Sequence, residues 1–442
     1  MYKTIDEWIK NEAVSFSFEK NKSLHGTFDR AIKLLNEGAE MIGFGEALHG
    51  GEEILILRNR LFKWLVKNYD FRVIALESGF PEGMQVNDYV TGEQPVSYQE
   101  IQDTGFSHGF GQLEANRKLI EWIKKYNRER KPDQQLHVYG FDIPDAMSGS
   151  EGLKNLLEVV LKETKPPEDN KDRNYGERIE SLFEERLHWD NPMVWRNPET
   201  SAELRAAITD LRIEVENIHS YLGTVKPRLI DDKGQEQYKK IIHYLEQARQ
   251  MINFYLAMTD EGYGPSLAVR DRAMANNLEY ILKRERSHGR VFVFAQNAHL
   301  QKEKVIVHPE WQQALDSEKF SWWPAGAHLA RTLGNRYAAI GSSVGVSEEN
   351  GIKRPENGTL EACLSDLPGD GQFIKIPSQN LLPADAITEI PVRSGSRKNL
   401  TYRPLTRTVF DNFDGLLHLD TITYNRGGPP LPNQEVTPED DS

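Results

Sequence analysis

Short apolar runs that end in polar residues recur along this chain. Met41 to Phe44 runs into Gly45-Glu46-Ala47-Leu48-His49, Arg72-Val73-Ile74-Ala75-Leu76 closes on Glu77, and Val291-Phe292-Val293-Phe294-Ala295 leads to Gln296-Asn297-Ala298-His299. Each run is short and rich in β-branched and aromatic residues, the pattern of a strand covered on both faces in a parallel sheet. Between the first two runs the period lengthens to that of a helix. Over 51–69, Ile54, Leu57, Leu61, Phe62 and Leu65 share one face, and Glu53, Arg60, Lys63 and Lys67 share the other. A further helix is expected at 113–126 and a strand at 136–141, ending in Asp142-Ile143-Pro144. From about 150 to 288 the strand signal vanishes, and 202–222, 238–258 and 271–284 are charge-laced helical patterns. Strands return at 291–295, 336–341, 372–376 and 415–420.

This order predicts an α/β fold, with a central, mostly parallel sheet flanked by helices. The α/β domain is expected in two parts, 1–149 and 289–426, with an all-helical insertion domain at 150–288 and a cleft between them. Residues 427–442, from Gly427-Gly428-Pro429-Pro430 onward, read as a disordered acidic tail. Ligands of open α/β sheets bind at the carboxyl ends of the strands, where Glu46, His49, Glu77, Asn297 and His299 are placed. The pattern therefore predicts a catalytic cleft.

Arg58 sharpens that expectation. It falls on the apolar face of its helix, one turn after Ile54 and one before Phe62. A buried guanidinium without a counter-charge costs several kcal/mol, so Glu46 or Glu77 is its expected partner; the simpler alternative is a side chain snorkelling at a domain edge. Glu46 and His49 alone would also fit a helix cap, with Gly50-Gly51 allowing the turn. Glu77 precedes Ser78-Gly79-Phe80-Pro81-Glu82-Gly83, which reads as a loop that keeps the carboxylate at the sheet edge. Phe106, His108 and Phe110 lie among Gly105, Gly109 and Gly111 and suggest a mobile aromatic loop over an apolar ligand, or a plain surface loop. Asp271 is read as the N-cap of the helix that follows it, with a cleft-facing role for it or Arg270 as the lesser reading. Gly341-Ser342-Ser343-Val344-Gly345 matches a serine-hydrolase elbow, but that motif needs a helix next, and Val346-Ser347-Glu348-Glu349-Asn350-Gly351 reads as a loop.

Composition narrows the classes. A formal net charge of −13 and the lack of a basic cluster disfavour nucleic acid as a partner. Acidic residues in Met1 to Trp8 do not resemble a signal peptide, no apolar run approaches the ~20 residues of a membrane span, and Cys363 is the one cysteine. A cytoplasmic protein with no disulfide, no thiolate metal site and no membrane association is expected. Nothing in the pattern specifies an oligomeric state.

The chain resembles the erythromycin esterase family, whose members are also labelled succinoglycan biosynthesis proteins. The resemblance lies in Gly45-Glu46-Ala47-Leu48-His49 with Glu53 and Arg58, in Ala75-Leu76-Glu77-Ser78-Gly79-Phe80, in Gly140-Phe141-Asp142-Ile143-Pro144, and in Asn297-Ala298-His299-Leu300-Gln301-Lys302. It implies metal-independent, cofactor-free hydrolysis of an ester or macrolide lactone, with His49 as general base and Glu46, Arg58, Glu77 and His299 completing the polar site. Asn297, Phe106, His108 and Phe110 are the expected substrate contacts. The chemistry is consistent: hydrolysis without a protein nucleophile needs a base for water, an acid to orient the base and a donor for the oxyanion. The same fold group also implies two alternatives. One is a metal- or haem-binding protein or metal-dependent hydrolase, with Glu46, His49, Glu77 and His299 as ligands; the other is a non-catalytic pocket linked to polysaccharide biosynthesis.

Overall fold

A computed structural model describes residues 2–35, 38–143, 150–164, 174–187, 198–260, 263–306, 321–377 and 381–431. The strands are β1 (Val14–Phe16), β2 (Met41–Glu46), β3 (Phe71–Gly79), β4 (His137–Asp142), β5 (Arg290–Gln296), β6 (Val305–Ile306), β7 (Ser321–Trp322), β8 (Tyr337–Val346), β9 (Gly371–Lys375) and β10 (Gly415–Thr421). Eight of them form one sheet in the order β1-β9-β10-β8-β2-β5-β3-β4, and β6 and β7 pair separately. The run from β10 to β4 is parallel throughout, whereas β9 is antiparallel to both of its neighbours. The mostly parallel sheet is as expected, and β1 is a strand that the apolar pattern did not reveal.

The alternation of strand side chains explains why both faces are covered. Met41, Val73, Ala75, Tyr139, Phe141, Val291, Val293 and Ala295 enter one core, and Ile42, Phe44, Ile74, Leu76, Val138, Phe292 and Phe294 enter the other. The second core also receives Leu57, Leu61 and Leu65 of the helix Glu52–Asn68, with Leu119, Ile120 and Ile123 of the helix Glu114–Asn127. Between β4 and β5 the described chain is helical: Glu151–Thr164, Tyr175–Glu185, Pro198–Thr224, Lys226–Lys233, Gln235–Asp260 and Tyr263–Glu285. Leu157, Ile208, Leu245, Met251 and Leu278 of these helices share the first core with the sheet. The helices of the insertion and one face of the sheet thus belong to one contiguous apolar core. No helix among the described residues is long and apolar enough to cross a membrane.

Two local expectations are corrected. The segment after Glu77 is not a loop, because the helix Phe80–Thr91 begins directly after β3 with Pro81 in its first turn, where a missing N–H costs nothing. The helix expected to open at Asp271 begins eight residues earlier, at Tyr263. Pro265 lies in the first turn of that helix, a position that proline fits. Asp271 is thus mid-helix and is no N-cap. Of the sequence-based expectations, Pro144 and nearly all of the acidic tail (432–442) lie outside the described residues.

The helix Phe80–Thr91 crosses β4 at two glycines. A Cβ on Gly83 would run into the backbone of Gly140, and one on Gly140 into the carbonyls of Ser78 and Gly79. That contact holds the end of β3 in place. Gly83→Ala should cost roughly 1–3 kcal/mol, as overpacking does, read as a lower urea midpoint; an unchanged midpoint would show that the crossing is loose.

Candidate active site

The parallel strands place four polar ends side by side: Glu46 on β2, Gln296 on β5, Glu77 on β3 and Asp142 on β4. Glu46 and Gln296 are register partners, and an irregularity in β3 after Leu76 lets Glu77 depart from the regular ladder. Its carboxylate is buried and turned along the strand ends. Oε2 accepts the backbone N–H of Gln296 at 2.8 Å, while Oε1 meets Arg270 Nη2 and His299 Nε2, each at 3.3 Å. Arg270 grips Asp142 with the same edge, Nε donating at 3.0 Å and Nη2, shared with Glu77, at 2.5 Å.

His299 is held at both ends. Its Nδ1 lies 2.9 Å from Asp271 Oδ1, and Asp271 also accepts Trp322 Nε1–H at 2.6 Å and the Ala325 N–H at 2.9 Å. Burial alone would lower the imidazole, but Asp271 and Glu77 raise it to about 10. His299 is thus an imidazolium at neutral pH, a donor rather than a base. Burial would push Glu77 up, yet His299, then His49 and Arg270, hold it well below the usual carboxylate range. It stays ionised because two cations reach it.

His49 is built differently. Nδ1 lies 2.7 Å from Glu46 Oε1, and Nε2 has no protein partner among the described residues. The turn is clamped from a distant segment: the His49 N–H donates to Thr401 Oγ1 at 2.9 Å, and Asn399 Nδ2 donates to its carbonyl at 2.7 Å. Gly50 takes φ of 112° there, a value that favours glycine. Burial lowers the imidazole, but the Glu46 carboxylate more than offsets this, and the net shift is upward. Burial also raises Glu46 itself, against the pull of His49. Both shifts act the same way: the pair keeps its shared proton to higher pH than a free imidazole.

The guanidinium of Arg58 is buried, as expected, but forms no ion pair with Glu46 or Glu77. Its Nε and Nη2 donate to Asn59 Oδ1 at 3.0 and 2.7 Å, Nη2 donates to Asn116 Oδ1 at 2.7 Å, and its carbon lies 4.7 Å from the centre of the Phe294 ring. Amide oxygens and an aromatic face thus stand in for a carboxylate, and Arg58 lines a small cavity together with Glu46, His49 and Glu77. Burial lowers it to about 10, against the favourable charge of Glu46. Asn116 passes this contact on by donating to the Phe110 carbonyl at 2.8 Å.

The aromatic segment is packed against the site rather than loosely covering it. The Ser107 N–H donates to Ser78 Oγ at 2.8 Å, Phe106 is buried, and Phe110 meets His49 edge-on at 5.4 Å between ring centres. His108 adopts φ of 59° and stacks on Phe110, a conformation that is uncommon without glycine. Asn297 has a structural partner: its amide exchanges hydrogen bonds with the Ser342 backbone at 2.8 and 3.0 Å. It lines a neighbouring cavity of about 510 Å³ instead of facing His49. A cavity of about 90 Å³ lies between His49, Glu77, His108, Arg270, His299, Trp322 and Arg403, enough for water and a small reacting group. Ala298 and Arg403 line both cavities.

Ser343 lies within β8, where no helix follows, so no nucleophile elbow exists. Its Oγ is 2.9 Å from His418 Nδ1, whose other nitrogen meets Ser365 Oγ at 3.0 Å. Burial lowers His418 to about 3, and no carboxylate orients it. Sequence reasoning underweighted Arg270, Asp271 and Asp142. The signal that singled out Arg58 would have found Asp271, which follows Leu267 by four and precedes Met274 by three on a buried helix face. Thr401, Asn399 and Trp322 carried no such signal, since they arrive from loops and a two-residue strand.

Fold and site together define a hydrolase-like α/β protein. The family model for erythromycin esterase matches residues 66–422, and the chain belongs to that family. It is 23% identical to erythromycin esterase type II of Escherichia coli over 349 residues, 76% of each chain. Among solved structures, a Bacillus cereus protein has a TM-score of 0.70 at 17% identity, over 97% of this chain and 100% of its own. A mutant of the erythromycin esterase EreC in its open conformation has a TM-score of 0.64 at 16% identity, over 93% and 98%. At these identities the structural likeness concerns the fold.

His299 carries a signed pH dependence. Its pKa is raised from about 6.5 to about 10 by folding, so its contribution to stability is complete below the lower value and is lost as pH rises through the higher one. Asp271→Asn should lower the pKa of His299, followed by NMR, and flatten the loss of stability between pH 7 and 10. An imidazole already neutral at pH 7 in the unmutated protein would contradict this assignment.

Proposed function

We propose that this protein hydrolyses a carboxylic ester or macrolide lactone by general-base activation of water at His49. The observation that carries this reading is the contrast between the two histidines. His49 has Nδ1 held by Glu46 and Nε2 directed at no protein partner, whereas both nitrogens of His299 are bound to acids. With Nδ1–H donated to Glu46, His49 Nε2 takes a proton from water, and the hydroxide adds to the ester carbonyl. Arg270 borders the same cavity and supplies a donor for the oxyanion, while the nearby His299 imidazolium, whose N–H groups are held by Asp271 and Glu77, adds positive charge. Collapse of the tetrahedral intermediate breaks the carbon–oxygen bond, and the proton on His49 passes to the leaving alkoxide, giving acid and alcohol. The family's esterases are named for a macrolide, and the neighbouring 510 Å³ cavity is lined by Val305, Ile306, Ile390, Val392 and Leu405, an apolar surface suited to a bulky small molecule.

One observation favours a second reading: ligand atoms of Glu46, His49 and Glu77 lie within 4.8 Å of one another, close enough to share a divalent metal. Against it, Arg270 and His299 already neutralise Glu77, and a divalent ion beside two cations is electrostatically opposed. Activity that disappears with chelator and returns with one metal would establish this alternative.

His49→Asn should lower turnover on a cleaved ester by ~10²–10⁴-fold, the usual worth of a general base, with the fold intact. The kcat/KM of the parent should rise with pH, with its midpoint above the ordinary ~6.5 of histidine, since the shift is upward. Glu46→Gln should move that midpoint down. Ser343→Ala should retain turnover; its loss in a folded variant, or covalent trapping of Ser343 by a phosphonate, would replace water activation with an acyl-enzyme.

A further inference from the structure

A second cluster of ligating side chains lies at the opposite end of the sheet. His137 is the first residue of β4, Glu285 the last residue of the helix Tyr263–Glu285, and His288 lies in the turn into β5. From His137 to Asp142, β4 spans about 17 Å at ~3.3 Å per residue, so this cluster is remote from the cleft. We propose that His137, Glu285 and His288 form a structural zinc site that ties the end of this helix to the sheet.

Each of the three residues offers one ligand atom, and these atoms lie within 4.8 Å of one another. His137 Nδ1 is 2.9 Å from Glu285 Oε2, a few tenths of an ångström closer than two ligands of a tetrahedral zinc ion, so a metal taking the place of the proton between them would part them slightly. The outer contacts are those of a ligand set. His288 Nε2 lies 2.7 Å from the Gln135 carbonyl, which makes Nε2 the protonated nitrogen and leaves the Nδ1 lone pair free. The Tyr139 hydroxyl donates to Glu285 Oε1 at 2.5 Å, leaving Oε2 for the metal. The Tyr139 bond orients Glu285 as such contacts do for metal ligands, whereas the His288 bond to Gln135 is given up when that ring turns. Glu285 is buried and both histidines are half-buried, so water has access to a fourth position. Two imidazoles and one carboxylate suit zinc better than calcium or magnesium, which prefer oxygen.

Two features oppose binding and are part of the geometry. The His137 and His288 rings stack at 4.4 Å and 7°, so their nitrogens lie side by side, and His288 must rotate for its lone pair to converge. Arg284 Nε stands 3.8 Å from Glu285 Oε1 and must remain turned outward. The His288 N–H is bonded to the Glu285 carbonyl in a tight turn, which keeps the ring close enough for that rotation.

The consequence is mechanical. The helix that ends at Glu285 carries Arg270 and Asp271, the partners of Glu77 and His299. A metal at its last residue would stiffen the element that sets both charges, without touching the substrate.

The test is titration of the full-length, chelator-treated protein with zinc chloride, followed by calorimetry and thermal unfolding. We expect roughly one equivalent of zinc bound in the micromolar range or tighter, with a rise in Tm. His288→Ala and, separately, His137→Ala should weaken binding by more than ~10-fold and abolish the rise in Tm. Because His288 is half-buried in a turn, its variant should fold, and circular dichroism checks this. His49→Asn should leave this zinc binding unchanged, which separates the site from a metal in the cleft. No zinc bound below ~100 μM, or unchanged binding in both folded variants, would overturn the proposal. Zinc lost in His49→Asn but retained in His288→Ala would overturn it in favour of the cleft.

Discussion

Glu77 is a buried carboxylate at the end of a central strand, and it can stay ionised there only if positive charge is brought to it. The protein does this from two directions. Arg270 comes from the last helix of the insertion and His299 from the short turn after β5, and each reaches the same oxygen at 3.3 Å. Those two cations need anions of their own, supplied by Asp142 at the end of β4 and Asp271 beside Arg270. The chain of alternating charges binds three strand ends and the insertion into one unit. Removing one member would strand a buried charge, which costs far more than an exposed pair contributes.

This arrangement divides the labour of two histidines that look alike in sequence. His299, between two carboxylates, keeps its proton at neutral pH, whereas His49 has one carboxylate partner and a second nitrogen that meets no protein group among the described residues. The difference comes from neighbours, not from residue type. Arg58 shows the same dependence. Its burial followed from its place on a helix face, yet its partners are Asn59, Asn116 and the face of Phe294 rather than a carboxylate. Through Asn116 it is linked to the Phe110 segment.

The helical insertion shares an apolar core with the sheet. Its last helix carries Arg270 and Asp271 into the site on one turn. The segment from about 388 to 413 then closes the opposite side, clamping His49 through Thr401 and Asn399 and lining the apolar cavity beyond.

Hydrophobic periodicity alone determined that the chain forms a mostly parallel sheet, that a helical stretch interrupts it, and that Glu46, Glu77 and His299 sit at strand ends. Burial on both faces writes continuous apolar runs, and a strand end is where such a run stops; both are local signals. Arg58 was legible for the same reason, as a charge on an apolar face, and Asp271 would have been had its helix been started at Tyr263. Which charges meet was decided only by the tertiary structure. Asp142 lies 128 residues from Arg270, and Thr401 lies 352 from His49. No local pattern encodes such pairings, because they depend on strand order and on where an inserted helix lands. The same holds for Ser343, whose motif matched a nucleophile in sequence but whose place within β8, beside a neutral His418, leaves it inside the sheet.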